Sequence, residues 1–228
     1  MHWINVCKLT KYHLKSLNES QKVYHIKDDV LIQEDVLHHR MHINITVEGS
    51  DTMKDWIYNS MILKNKEGIH KGFYEYTNEC IKTYDLISKI KTHKNVTLSG
   101  YSLGAAAVVI LLYVYLFHTT ETLFDEQIIK INLFGCPRIG NKLFNERLHE
   151  MLNTRTDKLK IYIMNFKNSD DIVCDIPPKF MGYSKTFNHI VLKSNDKTTC
   201  CKITKQINDH DLNNYHSNLS SLLEQNSG

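Results

Sequence analysis

Val96-Thr97-Leu98-Ser99-Gly100-Tyr101-Ser102-Leu103-Gly104-Ala105-Ala106-Ala107 is the stretch on which the reading of this chain turns. A short apolar strand, Asn95 to Leu98, runs into a Gly-x-Ser-x-Gly turn. A continuous apolar run, Ala105 to Phe117, follows it. That run falls short of the about 20 residues a bilayer-spanning helix needs, so it reads as a buried helix. Strand, tight turn and helix in this order place Ser102 on a nucleophile elbow. Gly100 and Gly104 remove side chains where strand and helix approach each other. The three alanines let the helix lie close to a sheet. The free N–H groups and partial positive charge of its first turn suit a developing oxyanion. An inert Gly/Ser turn fits the same pattern, and the flanking strand and helix favour the nucleophile.

Outward from this stretch, strands and helices alternate. Val30–Gln33 and Ile43–Val47 are β-branched runs, and Gly49-Ser50-Asp51 breaks the second. Phe73, Tyr76, Cys80, Tyr84, Ile87 and Ile90 recur at helical spacing, which predicts one helix over 72–93. Downstream, Ile128 to Phe134 is a buried strand followed by Gly135 and Pro137, and Phe144 to Leu152 a helix. Leu159 to Phe166 is another strand, with Asn168-Ser169-Asp170-Asp171 as its polar exit. His189 to Lys193 is a last strand, and Asp209 to Leu223 a last helix. Such alternation predicts an α/β fold with a mostly parallel sheet and helices on both faces. Sites in such sheets form at the carboxyl ends of the strands. No repeat or composition break marks a linker, so a single domain over 1–228 is expected.

Composition excludes several classes. The 228 residues are 42% hydrophobic and 23% charged, the balance of an ordinary globular chain. The net charge of +3 comes from scattered Lys and Arg, not the clustered patch of a nucleic-acid binder. Cys7, Cys80, Cys136, Cys174, Cys200 and Cys201 have neither disulfide-framework nor zinc spacing. Residues 1–20 contain no uninterrupted apolar core, so no signal peptide is read and the cytoplasm is the default expectation, with unconventional export left open. The sequons at Asn18, Asn44, Asn95 and Asn218 are then chance. His38, His39 and His42 form a short cluster that reads as solvated and not as a metal site.

A serine nucleophile needs a base, and the base needs an orienting carboxylate. In this architecture the chain order is Ser, then Asp or Glu, then His. Asp170 and Asp171 both leave a strong strand. His189, His210 and His216 all come after them. Residue types alone leave these alternatives standing, although His189 sits in an expected strand and reads as structural.

Five segments in order resemble the class 3 (fungal-type) lipases of the α/β-hydrolase superfamily. These are Val47-Glu48-Gly49-Ser50-Asp51 with Asp55-Trp56; His70-Lys71-Gly72-Phe73; the elbow; Phe134-Gly135-Cys136-Pro137-Arg138-Ile139-Gly140-Asn141; and Asp171-Ile172-Val173 with Pro177-Pro178. A late His210-Asp211-Leu212-Asn213-Asn214-Tyr215 segment is similar to that family's histidine region. The resemblance implies an α/β-hydrolase fold and a triad of Ser102, Asp171 and His210. It also implies an oxyanion hole from the Leu103 N–H and from Ser50. Glu48 stands where the family usually has Arg, which alters the support of that loop. The implied reaction is hydrolysis of lipid carboxylic esters, acylglycerols first, without metal or cofactor. A phospholipase A1, a soluble carboxylesterase and an inactive lipid-binding relative are the alternatives. The implied partners are the lipid ester and, transiently, a membrane or lipid-droplet surface. The oligomeric state is not indicated. Residues 57–69 correspond to a lid, with Ile57, Met61, Ile62 and Leu63 as its apolar face; an ordinary amphipathic surface helix is an equal reading.

Overall fold

The structure, a computed structural model, describes residues 21–26, 30–35, 42–47, 63–119, 123–155, 157–193 and 209–225. Seven strands form one sheet: β1 (Gln21–Ile26), β2 (Val30–Asp35), β3 (His42–Val47), β4 (Asn95–Tyr101), β5 (Gln127–Phe134), β6 (Leu159–Asn168) and β7 (Ile190–Leu192). They lie side by side in chain order. The pairs β1–β2 and β2–β3 are antiparallel, and every pair from β3 to β7 is parallel. Five described helices accompany them: α1 (Lys71–Tyr84), α2 (Leu86–Lys91), α3 (Leu103–His118), α4 (Lys142–Asn153) and α5 (Leu212–Gln225).

Strand alternation sorts the sheet into two faces. Ile45, Leu98 and Ile131 sit in register across one face, and Ile43, Val96 and Ile129 form the next row. All are buried, and they pack with α1 to α4 into the main core. On the other face a smaller cluster joins Phe134, Phe166 and Leu192 to Tyr215 and Leu219 of α5. The helices thus lie on both faces, but unequally. Helix α3 is apolar all round because it is enclosed, packing on β4 and α1 together.

The structure departs from sequence expectation in four places. The helical spacing over 72–93 is two helices, because Asp85 adopts a left-handed conformation (φ 49°) between α1 and α2. A backbone reversal at one residue leaves the apolar spacing on either side almost in phase, so periodicity does not reveal it. Strand β1 was not expected; Gln21–Ile26 lacks a strong alternation and is held by its pairing with β2. Asp209 and His210 form a turn ahead of α5 rather than its first residues. In the expected lid, the described part, 63–69, is a turn instead of a helix. Its Ile69 is buried and bridges Gly140, which ties the segment to the core. Ile57, Met61 and Ile62 lie outside the described residues, as do Glu48, Ser50, His38 and His39.

Candidate active site

The chain leaves β4 at Tyr101 and enters α3 at Leu103, so Ser102 must make the whole turn. It does so at φ 59°, ψ −121°, a conformation that costs a non-glycine residue strain and is maintained by its surroundings. Its N–H donates to the Phe134 carbonyl at 2.8 Å. The turn is tight enough that a Cβ on Gly100 would lie 2.3 Å from the Gly104 carbonyl oxygen. Glycine at position 100 is therefore a packing requirement of the elbow.

Side chains from the loop after β6 and from the turn ahead of α5 converge on Ser102. Its Oγ lies 2.7 Å from His210 Nε2, and His210 Nδ1 lies 2.9 Å from Asp171 Oδ2. The three side chains form one line although 108 residues separate Ser102 from His210. Asp171 follows β6 and is fully buried. Its Oδ1 accepts the Val173 N–H at 2.8 Å, and its Oδ2 also accepts the Tyr215 hydroxyl at 2.5 Å. Burial pushes this carboxyl up, but the hydrogen bonds and charge of His210, with the Tyr215 and Val173 donors, outweigh it and hold the group below its ordinary range. An ionised, fixed carboxylate selects the imidazole tautomer with its proton on Nδ1, leaving Nε2 to face Ser102.

His210 is positioned from several sides. The Tyr101 ring stacks on its imidazole, centroids 5.0 Å apart, and the Tyr101 hydroxyl donates to the His210 carbonyl. Asn168 Nδ2 donates to the Asp209 carbonyl at 2.7 Å, and the Asp170 N–H donates to the Asp209 carboxylate at 3.1 Å. Asn218 on α5 holds Asn168 in turn, at 3.0 Å. Gly135, at φ 60°, lies directly beneath. A Cβ there would fall 2.7 Å from His210 Cε1 and 3.1 Å from Asp171 Oδ2.

The segment after Gly135 braces the carboxylate loop. Arg138 reaches Asp175 Oδ1 at 2.6 Å and the Pro177 carbonyl at 2.9 Å, and Lys167 takes Asp175 Oδ2 at 2.6 Å. Asn141 ends the segment by capping α4, accepting the Phe144 N–H at 2.9 Å.

The remaining candidates fall elsewhere. Asp170 contributes its backbone, and the carboxylate that meets the imidazole is that of Asp171. His216 lies on α5 and His189 just ahead of β7. Burial, reinforced by Lys185 and Lys167, lowers His189 to about 4. His42 Nε2 lies 3.2 Å from Thr97 Oγ1, a sheet contact. The Leu103 N–H occupies the first helical position, where no carbonyl four residues back lies in the helix. Among the described residues no helix is long and apolar enough to cross a membrane.

Sequence reasoning did not single out Tyr101, Gly135, Asn168 or Tyr215 for a role at this site. Gly135 and Tyr215 stood within quoted segments, and Tyr101 within the elbow itself. The available signal was position: each adjoins a candidate residue, ends a strand or directly follows one.

A family profile described as Lipase (class 3) matches residues 43–181. The toxin TseL of Vibrio cholerae is 26% identical over 161 residues, a match spanning 70% of this chain and 23% of TseL. The secreted mono- and diacylglycerol lipase MDL2 of Malassezia globosa is 28% identical over 130 residues, 56% of this chain and 38% of MDL2. The chain therefore spans well under half the length of these two relatives. Among solved structures, the Rhizomucor miehei lipase propeptide complex superimposes with a TM-score of 0.60 at 20% identity, covering 78% of this chain and 57% of that one. That likeness identifies the architecture as the α/β-hydrolase fold. Since the matched residues 43–181 make up more than half of the sequence, from β3 past Asp171, the chain belongs to the class 3 lipase family.

Proposed function

We propose that this chain, as one α/β-hydrolase domain, hydrolyses carboxylic esters of lipids with Ser102 as nucleophile, His210 as base and Asp171 as its orienting acid. The observation that carries the reading is the continuous contact Ser102 Oγ–His210 Nε2–Nδ1–Asp171 Oδ2, at 2.7 and 2.9 Å.

Each step follows from those contacts. His210 Nε2 takes the hydroxyl proton as Ser102 Oγ attacks the ester carbonyl carbon. The carbonyl π electrons move to oxygen, where the Leu103 N–H meets the new charge. Ser50, outside the described residues, is assigned the second donor by the family resemblance. The tetrahedral species collapses, and the imidazolium returns its proton to the departing alcohol. Water then repeats the sequence on the acyl-enzyme, with His210 again as base, and releases the carboxylic acid. Asp171 stays ionised throughout and stabilises the imidazolium. These steps need neither metal nor cofactor.

Acylglycerols are the proposed substrates, since MDL2 is named as a mono- and diacylglycerol lipase. Ser102 is itself largely buried, at 2% exposure. A membrane or lipid-droplet surface is the proposed setting for the reaction.

Labelling by a fluorophosphonate probe tests the chemistry. The wild-type chain should label, and Ser102→Ala and His210→Ala should not. Ser102→Ala should also lower turnover by about 10⁶-fold. Equal labelling of the Ser102→Ala chain would reject the nucleophile. A panel of tri-, di- and monoacylglycerols against phospholipids and short soluble esters then assigns the substrate. Preference for the phospholipid at its sn-1 ester would make the chain a phospholipase A1. A folded chain that binds lipid without turnover or labelling would be an inactive relative.

A further inference from the structure

The turn Lys179–Met181 presents an apolar side chain outward in a way its backbone does not require. Phe180 is 83% exposed, with Met181 (39%) beside it. The segment that carries Leu63, 53% exposed, is tied to the same turn, because Lys64 donates through Nζ to the Met181 carbonyl at 2.7 Å. Ile172, exposed at 38%, follows Asp171 directly on the same loop. An exposed Phe on a loose loop would mean little. This one stands on a turn fixed at both ends. Met181 N–H donates to the Pro178 carbonyl at 3.1 Å and Gly182 N–H to the Lys179 carbonyl at 2.8 Å. Behind it, Arg138 holds the Pro177 carbonyl, and Ser184 N–H donates to Gly140 at 2.9 Å. The loop continues from the carboxyl end of β6, so it lies on the rim that also carries Asp171.

The charges around this lip are one-sided. Within 63–67 and 172–182 the acids are Glu67 and Asp175. Arg147 pairs with Glu67 at 3.0 Å, and Arg138 and Lys167 both pair with Asp175 at 2.6 Å. The cations Lys64, Lys66 and Lys179 have no carboxylate within salt-bridge distance among the described residues. Lys64 lies over the Tyr183 ring, 4.3 Å from its centroid, with its charge at the edge of the apolar group.

We propose that Phe180, with Met181 and Leu63, inserts into an anionic lipid surface while Lys179 and Lys64 meet its headgroups. The choice of lipid as occupant rests on the lipid-ester reading; the lip and its charge do not. The apolar side chains supply depth and the lysines supply preference for negative charge. Docking in this orientation turns the carboxyl-end rim, and hence the Ser102 region, toward the lipid.

The test is co-sedimentation of the full chain carrying Ser102→Ala, so that the vesicles stay intact. Mixed phosphatidylcholine–phosphatidylglycerol vesicles are compared with pure phosphatidylcholine. The chain should partition to the mixed vesicles and lose that preference at high salt. Phe180→Ser should weaken partitioning about tenfold, since most of a buried aromatic contact is lost. Lys179→Gln should weaken it about fivefold. Thermal midpoints of both variants should match the parent, as both side chains face solvent. Parent-like partitioning of both variants, or equal binding to neutral vesicles, would overturn the proposal. A dimer that Phe180→Ser dissociates would assign the lip to a second copy instead. Fluorophosphonate labelling of the chain with Ser102 intact separates the two readings. Labelling without partitioning sinks the docking alone; partitioning without labelling sinks the hydrolase reading alone.

Discussion

The two faces of the sheet are built on opposite chemistry. On the helix-packed face, Ile32, Ile45, Leu98, Ile131 and Ile163 stand side by side across five strands. On the other face the corresponding rows read Gln33, Asn44, Thr97, Lys130, Tyr162 and Leu31, Thr46, Ser99, Asn132, Met164. At the carboxyl end that second face carries an aromatic row across three strands, Tyr101, Phe134 and Phe166. There α5 docks through Tyr215 and Leu219, and the turn ahead of α5 carries His210. The first face stabilises the scaffold through apolar area. The second is specified by hydrogen bonds, and its aromatic corner is where His210 meets Ser102. Stability and chemistry should therefore respond separately to substitution.

The largest effect expected falls at that corner. Asp171→Asn keeps the shape but presents the wrong hydrogen-bonding group to His210 Nδ1, and turnover should fall by about 10⁴-fold. Asp170→Asn, one residue away, should stay within a few-fold of wild type, because it is the Asp170 backbone that holds Asp209. Steady-state rates on a soluble ester check both. The reverse order would move the acid to Asp170.

On the packed face, Ile131→Ala should cost about 2–5 kcal/mol of stability, by lost burial and a residual cavity. Turnover per folded molecule should be unchanged, since the side chain points away from the site. Denaturant melts read the first and active-site titration the second. A variant with normal stability and poor turnover would erase the distinction between the faces.

Acid should loosen the border of the packed face before it reaches Asp171. His70 is buried, caps α1 by accepting the Phe73 N–H and stacks on Phe73. Burial first, then the charge of Lys64, lowers it from 6.5 to about 4 despite an opposing backbone hydrogen bond. Between those values the unfolded chain binds a proton that the native one does not, so stability falls as pH falls from about 6.5 toward 4, and this contribution levels off below. His189 acts in the same direction over the same range. His70→Asn retains a capping oxygen without the titration, and should flatten the pH–stability curve in that window. A curve as steep as wild type would place the proton uptake elsewhere.

How much of this the sequence revealed follows from the range of the interactions. The β4–Ser102–α3 unit is local: two glycines, a serine and an apolar run state it within about twenty residues. Asp171 was legible as a strand exit that resembled a family segment. Choosing His210 over His189 or His216 needed resemblance, since its partners, Asp171 and Ser102, lie 39 and 108 residues away. Asp85 was missed because one left-handed residue barely disturbs an apolar spacing. Gly135 was visible as a turn residue. Its purpose, leaving room for an imidazole from a distant turn, exists only in the closed fold. The polarity of the second face was present as strand alternation, but which polar residues align depends on registers that no single strand encodes.

That alignment gives the smallest and most discriminating prediction. His42 and Thr97 lie on neighbouring strands of the polar face, bonded at 3.2 Å. Thr97→Val keeps the β-branched shape and removes the hydroxyl. Losing one side-chain hydrogen bond at a half-buried site should cost about 0.5–1.5 kcal/mol. Valine on a strand recovers part of that through packing, so the measured loss should fall at the lower end. Turnover should not change, because Thr97 lies toward the opposite end of β4 from Ser102. A loss as large as that of Ile131→Ala would mean that the polar face holds the sheet as strongly as the apolar one. A gain in stability would mean that Thr97 is retained for the pairing it specifies, not for the energy it adds.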